Sequence, residues 1–389
     1  MSAKPVIICK KRYYHGYKED FYHAFFKRKN SVLWTWRNCI LLDNKIVTGD
    51  KTYRHGGDIY NNDVKYDFSV NTNPLGIPET AKIKLTESID LFEKYPDMEC
   101  SKLCMAISRK ENIPIENILC GNGASEIFKL VTNAVMPKKA MLTAPSFSGY
   151  SHALYGTGAQ IEYYYLEEEK DFSIDASILE RIPVDCDIIF LCSPCNPTGK
   201  IISKGVFMEV LAYCEKNGIY LVADECFLGF VPDYETLSMK SEIWSQYLIV
   251  VNAFTKLYAM AGLRLGWCVC GNKGLLARMK QLQTEWSVSV AAQIAGISAL
   301  GDKTYVDKTR KLIAHERKKM VMCLEAKGIK VFPPDANFLL VKSSVNLYEM
   351  LLKKQILIRN CNNFIGLADG FYRIAVRSQE ENSVLISIL

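Results

Sequence analysis

The chain has little that would take it out of water. Across its 389 residues no run approaches the ~18–20 apolar residues that a transmembrane helix needs. Its first residues carry no apolar core ahead of a small-residue cleavage site, so no secretory leader is expected. Internal repeats and low-complexity stretches are lacking too, which sets aside disordered and collagen-like classes. The fourteen cysteines are too sparse for a disulfide scaffold in a chain of this length. Several lie in apolar runs, Cys192 in IIFLC and Cys268 and Cys270 in GWCVC. Free thiols in a reducing compartment fit that placement, and a cytoplasmic protein is expected. Cys192 and Cys195 form a C-x-x-C with no second pair and no nearby histidine, so no metal site is expected.

What is present is an ordinary globular composition, 49% hydrophobic and 23% charged, long enough for two domains. The net charge of +6 is unevenly spread. Residues 1–50 hold ten Lys/Arg against four acids, and the other 339 balance at 38 against 38. The basic excess therefore belongs to an N-terminal extension. Its many Tyr and Phe, with Trp34 and Trp36, are too numerous for a solvated tail, so it should pack on the body or on a partner copy.

From about residue 115, short β-branched runs alternate with amphipathic stretches. AMLTA (140–144), IEYYY (161–165), DIIFLC (187–192), IYLVAD (219–224), LIVVN (248–252) and LGWCVC (265–270) read as buried strands. Ser125–Val135 and Lys204–Asn217 read as helices between them. This order predicts an α/β fold with a mainly parallel central sheet flanked by helices. A long charged helix, about Lys303–Lys327, then precedes KVF, NFLLVK, QILIRN and YRIAVR, with a helix near Leu347–Lys354: a smaller α+β unit. The expected divisions are 1–54 (basic aromatic extension), 55–90 (an N-terminal segment joining the site), 91–300 (large domain) and 301–389 (small domain).

Ligands of open α/β sheets bind beyond the carboxyl ends of the strands, and several polar residues sit there. ILCGNGASEIF leads through Gly121 and Gly123 into a helix whose first amides, at Ala124 and Ser125, could hold a phosphate. It is neither a Walker loop nor G-x-G-x-x-G. Asn196 in CSPCNPTGK, Asp224 in VADECF, and Lys256 with Arg264 in FTKLYAMAGLRLGW each follow a strand. Together they offer an amine able to form a Schiff base, an acid to pair with a pyridinium, a donor to a phenolate, and an arginine plus helix N-terminus for a phosphate. Those are the groups that pyridoxal 5′-phosphate requires.

These motifs resemble those of the fold-type I pyridoxal-phosphate enzymes of the aminotransferase class, over about residues 55–389. The resemblance implies that Lys256 carries the cofactor and that Asp224 keeps its ring nitrogen protonated. It implies further that Asn196 bonds the ring oxygen, and that Arg264 with the Ala124 and Ser125 amides binds the phosphate. Phe147 and Cys226 would flank the ring. Tyr95 in KYPD would reach the cofactor phosphate of a neighbouring subunit, which implies a homodimer. Two departures stand out: Ala253 occupies a position that usually carries a hydroxyl, with Thr255 as a substitute, and Phe227 stands where many relatives have a tyrosine donating to the ring oxygen.

HGGD (55–58), DFSVNTNPLG (67–76), DECFLGF (224–230) and LIRNCNNFIGL followed by FYRIAVR are similar to the L-threonine-O-3-phosphate decarboxylases of cobalamin biosynthesis. That resemblance implies a small phosphorylated amino-acid substrate, threonine or serine phosphate. Arg373 would bind its carboxylate, Arg359 and His55 its phosphate, and Asn196 would border both substrate and cofactor. Histidinol-phosphate aminotransferases share N-x-N-P-L-G, Y-P-D and the lysine motif and are the alternative. An inactive protein of this fold, binding nucleic acid or membrane through its basic N-terminus, is an alternative of another class. It would be expected to lack Lys256 or Asp224, and both are present, so no nucleic acid or membrane partner is expected.

Overall fold

The apolar runs assemble into one seven-stranded sheet because each buries both faces. Residues Ile189 and Leu191 join one apolar cluster while Ile188 and Phe190 join another, and Leu221/Ala223 and Val222 divide the same way. Period-two alternation between two cores makes a strand read as continuously apolar. The computed structural model describes residues 55–302 and 304–389. Its large sheet comprises β1 (Ile118–Gly121), β2 (Lys139–Ala144), β3 (Gln160–Tyr165), β4 (Ile188–Cys192), β5 (Tyr220–Asp224), β6 (Leu248–Ala253) and β7 (Gly266–Cys270). The order is β1-β7-β6-β5-β4-β2-β3. Neighbours run parallel except β7, which is antiparallel to β1 and β6.

Helix α1 (Ala124–Val135) and helix α2 (Lys204–Asn217) follow β1 and β4. Ser203 caps α2 by accepting from the Val206 amide at 3.3 Å, and Gly218 ends it at φ +71°, a conformation glycine adopts without steric cost. One sequence expectation is corrected. The run at 161–165 is no buried strand: β3 is an edge strand, its residues half-buried or exposed.

Helix α3 (Tyr305–Ala326) leads to a smaller antiparallel sheet of β8 (Lys330–Val331), β9 (Phe338–Lys342), β10 (Arg359–Asn360) and β11 (Phe371–Ala375), ordered β10-β11-β9-β8. Its apolar face, with Phe338, Val341 and Ile374, packs on Ile313, Met320 and Leu324 of α3. QILIRN is not a single strand. Ile356–Leu357 pairs in parallel with Tyr66–Asp67, while Arg359–Asn360 pairs with β11.

Residues 55–78 tie both sheets together. The Phe68 amide donates to Leu357 O at 2.7 Å, and Phe68 O accepts from Ala375 N at 2.9 Å. Farther on, the Asn73 amide donates to Lys256 O at 3.0 Å. The Asn73 side chain donates to Leu257 O and to Thr309 Oγ1, each at 2.7 Å. The described residues form one compact unit. The basic extension, residues 1–54, lies outside the described residues. No helix among the described residues is long and apolar enough to cross a membrane.

Asn73 is 2% exposed, so its loss strands buried partners rather than handing them to water. Asn73→Ala should lower unfolding stability by about 2 kcal/mol. Exposed Lys82→Ala should stay within about 0.5 kcal/mol, both read by urea denaturation.

Candidate active site

The register of the large sheet brings the polar residues to one edge. Gly121, Gly266 and Ala253 are aligned partners across β1, β7 and β6, and Cys192, Asp224 and Val251 across β4, β5 and β6. The loops leaving these positions carry Ala124, Asn196, Cys226, Lys256 and Arg264.

Asp224 ends β5 and is 6% exposed. One carboxylate oxygen accepts from the Cys226 amide at 2.9 Å and the other from the Tyr150 hydroxyl at 2.6 Å. Burial pushes the carboxyl above its ordinary value, against those hydrogen bonds and the charge of Lys256. Sequence reasoning did not single out Tyr150. It stands three residues after Phe147, and the two rings meet edge to face at 5.6 Å. The sequence carried no signal for it, since the bond to Asp224 spans 74 residues.

Lys256 lies in the turn Phe254–Leu257 after β6, its Nζ 5.8 Å from the centre of the Phe227 ring. Burial first, then the positive charges of Arg373 and Arg264, lower its amine to about 8, while Cys226 and Asp224 oppose them. Phe227 meets Phe338 edge to face at 5.0 Å, and Phe338 underlies the Arg373 guanidinium at 5.6 Å. Ala253 precedes the turn and Thr255 lies within it, both half-buried. Burial also pushes the Cys226 thiol well up, so it presents as a neutral wall.

The phosphate cradle is built from backbone. Arg264 adopts φ +57° and donates to Ala261 O at 3.2 Å. Gly123 has φ +78°, and a Cβ there would lie 2.6 Å from Arg264 Nη2. Glycine thus lets the guanidinium approach the start of α1, where Ala124 and Ser125 begin the helix and no side chain caps it. An anion there meets both a fixed charge and the positive end of a helix.

Arg359 and Arg373 face each other across β10 and β11. Directly opposed residues project from the same face, where like charges repel. Arg373 is 6% exposed and donates to the Asn196 side-chain oxygen and, at 2.6 Å, to Ser69 O. Its Nε is buried with no hydrogen-bond partner. Burial brings it down to about 10, with the Arg359 charge adding and Cys361 opposing. Arg359, 8% exposed, donates to Asn360 O at 2.5 Å and to Asn363 Oδ1 at 2.6 Å. Its guanidinium also lies 5.2 Å from the Phe364 ring centre.

His55 is exposed, its ring 6.1 Å from Phe147. The adjacent Gly56 presses on the Ser69 carbonyl that holds Arg373; a Cβ would sit 2.2 Å from that oxygen. The HGG segment therefore needs glycine to reach the site. Tyr95 is 80% exposed, its ring 4.7 Å from that of Trp286 on the outside of the protomer. Among the described residues no cluster could hold a metal ion.

This donor set fits pyridoxal 5′-phosphate. Lys256 offers an amine held near neutrality and Asp224 a buried carboxylate. Asn196 offers an amide, and Arg264 with the α1 start a phosphate seat.

Residues 63–389 match the Aminotransferase class I and II family. The chain is 34% identical to the threonine-phosphate decarboxylase of Salmonella typhimurium, over 86% of this chain and 95% of that one. It is 33% identical to an adenosylcobalamin biosynthesis bifunctional protein of Leptospira interrogans, over 82% of this chain and 38% of that one. The solved histidinol-phosphate aminotransferase of Clostridium acetobutylicum superposes with a TM-score of 0.78 at 33% identity, covering 83% of this chain and 98% of that one. The chain thus belongs to the class I and II aminotransferase family of enzymes, whose cofactor is pyridoxal 5′-phosphate.

Proposed function

We propose that this enzyme decarboxylates L-threonine O-3-phosphate to (R)-1-amino-2-propanol O-2-phosphate for the nucleotide loop of cobamides. L-Serine O-phosphate, giving ethanolamine phosphate, is a neighbouring substrate. One methyl in a pocket discriminates only ~10–200-fold. The observation that carries the reading is the pair Arg359 and Arg373, opposed on one sheet face and both nearly buried. Two guanidiniums held this way favour a small substrate bearing two anions, since each planar fork binds a carboxylate or phosphate by two parallel bonds. The name of the Salmonella relative supports the same reaction.

When bound, the cofactor supplies an electron sink for a bond broken at the substrate Cα. The residues decide which bond that is. Arg373 holds the α-carboxylate, fixed by Asn196 and the Ser69 carbonyl. Arg359 holds the phosphate, its fork set by Asn360 and Asn363, and His55 closes over it. Two anchored anions would fix the rotation about the Cα–N bond and so select the carboxylate, not the α-proton, as the group that leaves. Lys256 Nζ returns a proton to Cα once carbon dioxide has left. Asp224 holds a proton at the ring nitrogen, and Tyr150 steadies Asp224. Phe227 and Ala253 lack hydroxyls, which leaves Asn196 and Thr255 as the nearby polar side chains for the ring oxygen and phosphate.

The assembly we propose is a homodimer in which Tyr95 reaches the partner's cofactor phosphate; its 80% exposure in one protomer supports this. The twelve described cysteines are all free, which supports a reducing, cytoplasmic setting.

Pure protein given L-threonine phosphate should release carbon dioxide without a keto acid. Absolute dependence on 2-oxoglutarate would favour the aminotransferase alternative and contradict the proposal. Protonated lysine is no nucleophile, so covalent incorporation of cofactor into the cofactor-free protein should rise with pH through a midpoint of about 8. Stopped-flow absorbance near ~420 nm measures this, and Lys256→Ala should abolish the signal. A midpoint near the ordinary lysine value would contradict the lowered amine.

A further inference from the structure

Three thiols meet outside the catalytic set, on two elements that converge behind the phosphate cradle. Cys104 sits on the helix Ser101–Glu111 and Cys120 on β1, with their sulfurs 3.6 Å apart. The Cys120 thiol is also within hydrogen-bonding reach of Cys100, the residue that begins that helix. Cys100, Cys104 and Cys120 are 3%, 6% and 3% exposed. Cys100 adopts φ +50°, a backbone conformation uncommon for a residue with a side chain.

A cavity of about 210 Å³ is lined by all three cysteines together with Met98, Lys280 and Trp286. The cluster's members differ in character. The hydrogen bond to Cys120 draws the Cys104 thiol down against burial; the Lys280 charge adds to this, while Asp97 and Glu99 oppose it, Glu99 also pairing with Lys280 at 3.3 Å. Cys120, by contrast, is pushed up by its two thiol partners and by burial. A thiolate near a cation and in the first turns of a helix is the form that attacks.

The sulfur pair is mechanically coupled to the site. Cys120 directly precedes the Gly121–Gly123 turn that leads into α1. Its carbonyl accepts from Gln283 Nε2 at 2.8 Å, and the same nitrogen approaches Glu126 Oε2 at 3.3 Å. Glu126 in turn accepts from the Asn122 amide at 2.6 Å. A disulfide draws its sulfurs to about 2.05 Å. From 3.6 Å, that closure is shared between rotation of the two side chains and movement of β1 and the helix that carry them.

We propose that Cys104 and Cys120 form a reversible disulfide on exposure to peroxide, and that it weakens the hold on the cofactor phosphate. The Cys104 thiolate attacks one oxygen of hydrogen peroxide and breaks the O–O bond; the displaced hydroxide takes up the proton the thiol gave up, leaving a sulfenic acid and water. The Cys120 sulfur then attacks the Cys104 sulfur, displacing a second water. Two thiols and one hydrogen peroxide become one disulfide and two waters, and two electrons pass from sulfur to oxygen. Cys100 stands ready as an alternative partner for Cys120. The second half of the proposal rests on the cofactor reading above; the first half does not.

The three cysteines fall on separate tryptic peptides, 95–102, 103–109 and 111–129, so linkage is directly readable. The holoenzyme is treated with hydrogen peroxide, blocked by alkylation, digested and mapped by mass spectrometry. A linked 103–109/111–129 pair that disappears with dithiothreitol supports the site. Cys104→Ala and Cys120→Ala should each abolish it, and Cys323→Ser should not. Free, alkylatable Cys104 and Cys120 after treatment, or separate sulfinic acids without linkage, overturn it. The cofactor dissociation constant of the oxidised protein, read by equilibrium dialysis, should rise about tenfold. Linkage with an unchanged constant overturns the coupling alone. Failure of the untreated protein to bind cofactor would instead sink the cofactor reading and leave the linkage result intact.

Discussion

The constraint on which the site depends is positive charge held out of water. Lys256, Arg359 and Arg373 are each lowered by burial. The Arg373 charge lowers the Lys256 amine, and the Arg359 charge lowers Arg373. Desolvated like charges are costly unless an anion joins them, because in a low-dielectric site their repulsion is poorly screened. Asp224 offsets this only in part, and both of its carboxylate oxygens are engaged by Tyr150 and the Cys226 amide. The fold thus holds an arrangement that an anionic occupant completes. Opposing registers enforce it: Arg359 against Arg373 in the small sheet, and Gly121, Gly266 and Ala253 in the large one.

The same logic explains the neutral body. Residues beyond 50 carry balanced charge, so no broad field gathers anions. Affinity comes from a few aimed groups. Each is fixed by local rules: the left-handed Gly123 that admits Arg264, the bare Gly56 against Ser69, and the aromatic pair Phe227 and Phe338 between Lys256 and Arg373. Phe227, which offers no hydroxyl, instead supplies a π-face beneath the lysine.

Much of this was legible in the sequence, for physical reasons. Strands buried on two faces leave uninterrupted apolar runs, and α2 carries its own stop signal in Gly218. The edge strand β3 read as buried because tyrosines are apolar in bulk yet tolerate water at their tips. Lys256, Asp224, Asn196 and Arg264 could be found by motif spacing. Tyr150 could not, because its bond to Asp224 depends on how β2 and β5 place their exits. Nor could the spacing of Arg359 and Arg373 announce that they oppose each other; that follows from antiparallel pairing. The thiol cluster was hidden for the same reason, since Cys104 and Cys120 are brought together by a helix laid against a strand. The basic extension lies outside the described residues, and its role stays with the sequence expectation.

The central claim is that two buried guanidiniums select a substrate with two anions. The most direct test is the ratio of kcat/KM for L-threonine O-3-phosphate to that for unphosphorylated L-threonine, measured at fixed ionic strength. The account predicts a preference of at least about 1,000-fold, the loss of a charge-assisted bidentate contact plus the penalty of leaving Arg359 buried beside Arg373. Comparable values for the two substrates would contradict it.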